Sequence, residues 1–274
     1  MSSQDNRVDA VFDVRQVEYH YNNISALAGL SLSVAAGQRI AILGANGSGK
    51  STLLRLLDGL CFPKRGEVLA FGRPLTEDNL EDRDFALGFR RRVGLVFQDP
   101  DVQLFCATVF DEVAFGPLQL GWPRPEIKRR VVEALDLMEI SHLKERAPHR
   151  LSGGEKKRVA LASVLVLDPD VLLLDEPIAA LDPKSQGKVI DFLVSWGNGA
   201  KTILTATHDL DIVEDIADHC FVLQNGRLMS EGAAPALLAD QELLERASLI
   251  HAHRHVHASG QVHSHPHQHH KHEH

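Results

Sequence analysis

The segment Gly44-Ala45-Asn46-Gly47-Ser48-Gly49-Lys50-Ser51 constrains this chain more than any other. It fits the spacing GxxxxGK followed by Ser or Thr, and its surroundings fit as well. Arg39 to Leu43 reads as a short apolar strand running into the first glycine. Lys50 to Leu60 has helical spacing at Leu53, Leu54 and Leu57, with Gly59 able to close the helix. A strand, a glycine-rich turn and a helix in that order form the context this spacing requires. Glycines let the backbone wrap an anion and turn its N–H groups inward. The helix N-terminus adds partial positive charge. In such a loop Lys50 can reach the β- and γ-phosphates of a nucleotide, and the Ser51 hydroxyl can ligate Mg2+. A mere glycine-rich turn beside a surface lysine would not need all the fixed positions at once.

Val171-Leu172-Leu173-Leu174-Asp175-Glu176-Pro177 reads as a buried strand ending in two carboxylates. Alone, it would mean two solvated charges at a strand end. With a phosphate loop in the same chain it supplies the other half of a nucleotide site, expected beside the first strand's loop. Asp175 would hold Mg2+ through water, and Glu176 would act as general base toward the attacking water. Leu151-Ser152-Gly153-Gly154-Glu155 reads first as a helix start, with Ser152 as N-cap and an acid in the first turn. The same features make a second anion site, able to face a γ-phosphate. One chain hardly needs two such sites for one phosphate, whereas two copies arranged head to tail would use both.

The rest of the pattern predicts an α/β fold. Strands are expected over Val11–Tyr21, Leu30–Val34, Val93–Phe97 and Thr202–Ala206, with a hairpin over Phe221–Ser230 turning at Asn225-Gly226. Helices are expected over Glu126–Ile140, Glu155 to about Leu167, around Val189–Trp196, and over Leu237–Leu249. Arg73 to Arg92 is charged and irregular and supports no assignment. Short apolar strands alternating with helices imply a largely parallel central sheet, and the alternating strands at the start imply an added antiparallel layer.

At this point the chain resembles the ATP-binding subunit of ABC transporters, over about residues 11 to 250. Gly44 to Ser51 is similar to the Walker A motif, Val171 to Glu176 to Walker B, and Leu151 to Glu155 to the LSGGQ signature, with Glu155 in place of the final Gln. Gln98 falls where the Q-loop glutamine sits, Ala180-Leu181-Asp182 resembles the D-loop, and His208 matches the switch histidine. Tyr21 stands where an aromatic usually stacks on adenine, with Tyr19 as rival. The resemblance implies a P-loop NTPase with a RecA-like core, an antiparallel β-subdomain and a helical subdomain over about 99–165. It implies ATP and Mg2+ as cofactors. Gly44, Asn46, Gly47, Ser48, Gly49, Lys50, Ser51, Thr52 and Asp175 would bind nucleotide in one chain. Ser152, Gly153 and Gly154 of a second copy would complete the site. Ser51, Gln98 and Asp175 would serve Mg2+, Glu176 would be the base, and His208 would contact the γ-phosphate.

The subfamily is legible too. Val96 to Phe105 is similar to the Q-loop of energy-coupling-factor importers, and Asp111 to Pro117 follows at the expected place. Leu151 to Ala162, with Lys156, Lys157 and Arg158, looks most like the cobalt and nickel branch. That resemblance implies a homodimer on the cytoplasmic face of the membrane, joined to a transmembrane coupling protein and a metal-binding membrane protein. Val102, Leu104 and Phe105 read as an exposed apolar patch suited to such a partner.

Composition limits the alternatives. The formal net charge of −8 argues against broad nucleic-acid binding. Three cysteines without a CxxC pair exclude a disulfide scaffold and a thiolate zinc site. No apolar run approaches the roughly 20 residues that span a bilayer. Residues 1–10 are polar and read as a flexible start. Of 16 histidines, 11 lie from His251 to His274. His251, His253, His255 and His257 alternate, as do His263, His265, His267 and His269, so neighbours share a face in extended backbone; in a helix, pairs such as His251/His255 and His263/His267 would share one instead, and either arrangement can chelate Ni2+, Co2+, Cu2+ or Zn2+. Pro266, Gly260 and the lack of a hydrophobic pattern favour a disordered tail over 251–274. Three alternatives are weaker. A vitamin importer would share the ATP site. A soluble ABC protein of DNA repair or translation would need long coiled coils or a second cassette. A metal-storage protein would leave the ATP site unexplained.

Overall fold

The computed structural model describes residues 10–196 and 201–250, and the backbone of 252–256 and 262–266. The chain starts with two long strands, β1 (Ala10–Tyr21) and β2 (Ile24–Ala35), followed by β3 (Arg39–Leu43) and α1 (Lys50–Leu57). Next come β4 (Arg65–Ala70), β5 (Arg73–Pro74), α2 (Glu77–Glu81), α3 (Arg83–Arg92) and β6 (Val93–Val96). Three helices follow: α4 (Val109–Gln119), α5 (Arg124–Leu137) and α6 (Gly153–Leu165). Then come β7 (Val171–Asp175), α7 (Pro183–Trp196), β8 (Thr202–Thr207), α8 (Val213–Ile216), β9 (His219–Gln224) and β10 (Arg227–Ala233). Short helices α9 (Ala234–Leu238) and α10 (Gln241–Arg246) lead to the tail.

Two sheets carry the fold. A six-stranded sheet runs β10-β9-β3-β8-β7-β6, parallel except at the β10 edge. An antiparallel sheet runs β2-β1-β4-β5. Strand residues point alternately to opposite faces, and β3 shows the consequence. Ile40 and Ile42 join one apolar core with α1 and the antiparallel sheet. Ala41 and Leu43 join a second core with α4 to α7. β7 divides the same way, with Val171 and Leu173 against Leu172 and Leu174. A strand buried on both faces must be a continuous apolar run, which is what made β3 and β7 readable. Leu53, Leu54, Leu56 and Leu57 seat α1 on the sheet. Each such leucine contributes roughly 1.5–3 kcal/mol of burial.

The structure differs from expectation in several places: β4 and α4 fall where no element was expected, and α7 starts at Pro183, well before Val189. The charged stretch from Arg73 to Arg92, left unassigned, holds the whole of β5, α2 and α3. Thr76 caps α2 by accepting from the Asn79 N–H, and Asp82 caps α3 by accepting from the Asp84 and Phe85 N–H groups. Local capping, not apolar periodicity, defines these helices; only Phe89 of α3 is buried. The helix expected over Leu237–Leu249 is broken, because the Asp240 carboxylate accepts from the Leu243 N–H and starts α10 afresh. The helix expected over Glu126–Ile140 starts at Arg124 and ends at Leu137. In the tail, where no regular structure was expected, Ala252–Val256 pairs antiparallel with Val262–Pro266 (β11 and β12). Strict period-two alternation suits an extended strand. The expected flexible start falls outside the described residues except for Ala10. No described helix is long and apolar enough to cross a membrane.

Candidate nucleotide-binding and hydrolysis site

The turn between β3 and α1 is fixed from both sides. The Ser48 N–H donates to the Ala45 carbonyl at 3.1 Å, and Gly226, in the β9–β10 hairpin, donates its N–H to the Ser48 carbonyl at 3.0 Å. Gly49 caps α1 at φ 108, and a Cβ there would sit 2.7 Å from the Ala26 carbonyl oxygen. Only glycine tolerates both conditions. Lys50 is buried, and its Nζ donates to the carbonyls of Gly44 at 2.7 Å and Ala45 at 3.3 Å. Burial lowers its pKa, opposed by Glu176 and Asp175. Among the described residues, the Ser48 hydroxyl is buried without a hydrogen-bond partner. An orphaned donor and a lysine on a glycine turn at a helix N-terminus suit a phosphate.

The strand-end carboxylates lie opposite. Strand β8 separates β3 from β7, so Asp175 does not come from the strand next to the loop's own. The side chains meet nonetheless, because the strands are parallel and end at one level. Ser51 Oγ donates to Asp175 Oδ1 at 3.0 Å. Burial raises the Asp175 pKa, opposed by that hydrogen bond. Glu176 is 6% exposed and takes φ 44, a region L-residues rarely adopt. Its N–H donates to the Ala206 carbonyl. Its carboxylate accepts from Thr207 Oγ1 at 3.2 Å, contacts His208 Nδ1 at 2.7 Å, and lies 3.9 Å from Lys50 Nζ. Here His208 engages the carboxylate, a pairing that no local pattern predicts.

Between these parts lies a cleft of ≈ 340 Å³, lined by Tyr21, the loop from Asn46 through Thr52, Gln98 and Glu176 among others. Tyr21 lies on the cleft, its hydroxyl 3.3 Å from Arg55 Nη1. Tyr19 packs behind it, edge-on at 5.0 Å and against the core. Ser152, Gly153 and Gly154 do not line this cleft. They start α6 elsewhere, with Ser152 and Gly153 exposed. There Glu155 closes a reciprocal capping box, accepting from the Ser152 N–H at 2.8 Å while Ser152 Oγ accepts from the Glu155 N–H. The Ser152 N–H is the main cause holding the Glu155 carboxyl below its ordinary pKa. Gly154 packs on Ser185, which hydrogen-bonds Asp182 at 2.6 Å.

The sequence marks Lys157 only as one residue of the cobalt- and nickel-like run from Leu151 to Ala162. Its side chain is buried in α6, and burial pushes its pKa down to about 8. Its Nζ donates to the carbonyls of Phe97 at 3.0 Å and Gln98 at 2.8 Å, and lies 3.5 Å from that of Glu176. The available signal was helical spacing: Gly154, Lys157 and Leu161 share the buried face of α6. Leu104 is also not as expected. It packs against the core, leaving Val102 and Phe105 exposed, with Phe105 edge-on to Phe115 at 4.9 Å.

The tail histidines stand apart. His253, His255, His263 and His265 lie on β11 and β12. The expected ligands His251, His257, His267 and His269 lie outside the described residues. Among the described residues no group of three or more His, Cys, Asp or Glu side chains is placed to hold a metal ion.

Comparison with known proteins agrees with this geometry. The ABC transporter family model matches residues 27–179. The nickel import ATP-binding protein NikO of Rhodobacter capsulatus is 55% identical over 242 residues, covering 87% of this chain and 95% of the relative. The energy-coupling factor transporter ATP-binding protein EcfA of Methanothermobacter thermautotrophicus is 41% identical, covering 87% and 76%. Among solved structures, cbiO1 of Clostridium perfringens, part of the ABC transporter complex cbiONQ, superposes with a TM-score of 0.74. It is 40% identical and covers 88% of this chain and 95% of its own. A dimeric post-hydrolysis cassette, MJ0796 bound to ADP and Pi, gives 0.73 at 27% identity, covering 81% and 98%. A complete phosphate loop, a carboxylate pair at the facing strand end and these likenesses lead to one conclusion: the chain belongs to the ABC transporter family, as an ATP-binding subunit that hydrolyses ATP to drive transport.

Proposed function

We propose that this chain powers an energy-coupling-factor importer of Ni2+ or Co2+, as a homodimer held to the cytoplasmic face of the membrane by a transmembrane coupling protein, with a metal-binding membrane protein in the same assembly. The observation that carries the metal is the 55% identity to a nickel import ATP-binding protein, over nearly the full length of that relative. The cobalt- and nickel-like run from Leu151 to Ala162 and the histidine-rich tail support it.

Each chain contributes two half-sites. The Gly44–Lys50 loop holds the phosphates, and Tyr21 offers a ring to the adenine. Exposed Ser152 and Gly153 at the start of α6 meet the γ-phosphate held by the other chain, which accounts for their distance from their own cleft. Glu176 takes a proton from water as its oxygen bonds to the γ-phosphorus and the bond to ADP breaks. Thr207 and His208 orient the carboxylate for that transfer. Ser51, Asp175 and Gln98 are hard oxygen donors that would hold Mg2+, which neutralises phosphate charge when bound. Val102, Phe105 and Phe115 form an exposed apolar patch for the coupling protein.

Uptake of radiolabelled Ni2+ and Co2+ by cells expressing the subunit with the membrane proteins encoded beside its gene tests this. ATP-dependent uptake of either ion, abolished by Glu176→Gln, is expected. Uptake of a vitamin instead, with no metal uptake, would overturn the metal assignment and leave the ATPase standing.

A further inference from the structure

Lys157 sits where three parts of the catalytic machinery converge. It lies one turn into α6, on the face buried with Gly154. Its ammonium has three donors, and three carbonyls lie within 3.5 Å: those of Phe97, Gln98 and Glu176. Two further ties bind α6 to the segment after β6. Lys156 Nζ meets Asp101 Oδ1 at 2.6 Å. The Gln103 amide accepts from the Phe97 N–H at 3.2 Å and donates to the Ala160 carbonyl at 3.0 Å. So α6 and residues 97–103 are fastened by three side chains, and of these Lys157 also reaches the turn that carries Glu176.

That turn needs holding. Glu176 keeps φ 44 only while its surroundings over-determine it. Its N–H is fixed by the Ala206 carbonyl, and its own carbonyl faces Lys157. The peptide is thus held at both ends, by β8 on one side and α6 on the other. We propose that Lys157 is a positioning residue that ties the strained Glu176 backbone to the signature helix of its own chain. Through it, nucleotide engaged by Ser152 and Gly153 at one site of the dimer sets the carboxylate at the other. This deepens the proposed function and rests on its head-to-tail dimer.

The test uses purified full-length protein and initial ATPase rates against ATP concentration. Lys157→Met keeps the stem and removes the donors. Lys157→Gln restores an amide with two N–H groups. Gln103→Leu breaks another α6 tie without touching Glu176. In Lys157→Met, kcat is expected to fall about tenfold or more, with fluorescent-nucleotide affinity changed by less than about threefold and the Hill coefficient reduced toward 1. Lys157→Gln should recover part of kcat, and Gln103→Leu should stay within about threefold of the parent. Unchanged kcat and Hill coefficient in Lys157→Met would overturn the proposal, as would an equal loss in Gln103→Leu. Loss of a cooperative melt in both Lys157 variants would also overturn it, making the residue a fold-holder. Sedimentation of Glu176→Gln with ATP separates the premise: no dimer sinks the head-to-tail reading, whereas a dimer with unaltered Lys157→Met kinetics sinks the role of Lys157 alone.

Discussion

His208 Nδ1 lies 2.7 Å from Glu176 Oε1, while Thr207 Oγ1 donates to Oε2 of the same carboxylate at 3.2 Å. Two consecutive residues at the end of β8 therefore hold both oxygens of the carboxylate at the end of β7. The carboxylate is oriented before any water arrives, and preorganised geometry of this kind lowers a proton-transfer barrier.

Glu176→Gln follows most directly. The amide keeps the size and both contact positions but cannot accept a proton. ATP affinity should stay within about threefold while turnover falls by about 10²–10⁴. Parallel nucleotide-binding and steady-state hydrolysis measurements check this. Near-normal turnover would remove Glu176 as the base.

Ser152→Ala should act on assembly. It removes the side-chain half of the capping box, costing about 1 kcal/mol of helix stability, and the hydroxyl proposed to meet the neighbour's nucleotide. In the Glu176→Gln background, which accumulates ATP-bound protein, sedimentation should show a two-fold dimer with ATP and Mg2+. Ser152→Ala should weaken that dimer while leaving the monomer folded. Dimerisation of equal strength would mean the cap is only structural.

Much of this site could be read in advance, for a physical reason. Phosphate loops and strands buried on both faces leave dense local signatures, so β3, β7, Lys50, Ser51, Asp175 and Glu176 stand out along the chain. Contacts between distant segments leave none. Nothing near His208 points to Glu176, 32 positions away. Nothing near Lys157 marks it as buried, and lysines are rarely fully buried. Leu104 looked exposed beside Val102 and Phe105, since an apolar run in a loop does not show which member turns inward. Helices α2 and α3 escaped because their caps are polar and α2 buries no residue.

Asp58 gives a pH-dependent stability. It is 7% exposed, and burial pushes its pKa up to about 7 despite Arg90 at 3.4 Å. A raised carboxylate pKa favours the protonated group in the fold. Its stabilisation is complete below the ordinary value near 3.8 and is lost as pH rises through about 7. That rise corresponds to at most on the order of 4 kcal/mol. The melting difference between the parent and Asp58→Asn should shrink, or reverse, from pH 5 to pH 8. A difference constant across that range would show that Asp58 does not titrate between pH 5 and pH 8.

The apolar patch separates coupling from catalysis. Val102 and Phe105 are 68% and 67% exposed, so removing them costs the isolated subunit little. Val102→Ala with Phe105→Ala should leave basal ATPase within about twofold and lower transport about tenfold or more, as expected for anchors at an interface centre. Equal loss of both activities would show that these side chains serve the fold.

The histidine-rich tail should bind Ni2+ or Co2+ without being the transport site. Eleven imidazoles from His251 to His274 offer several bidentate sets, and imidazole suits both ions. Ni2+ should bind more tightly than Co2+, following the usual order for divalent first-row metals. A ligating imidazole must be neutral, so protons compete with metal, and affinity should fall as pH drops through roughly 6.5, where histidine ordinarily titrates. Every nucleotide-site residue lies upstream of the tail, so truncation after Ile250 should abolish this binding and leave ATP hydrolysis essentially intact. Transport should suffer only when metal is scarce, if the tail gathers ions at the assembly. Calorimetry on full-length and truncated protein at pH 7.5 and 5.5 decides between the outcomes. Metal binding that survives truncation, or that ignores pH, would place the ligands elsewhere in the chain.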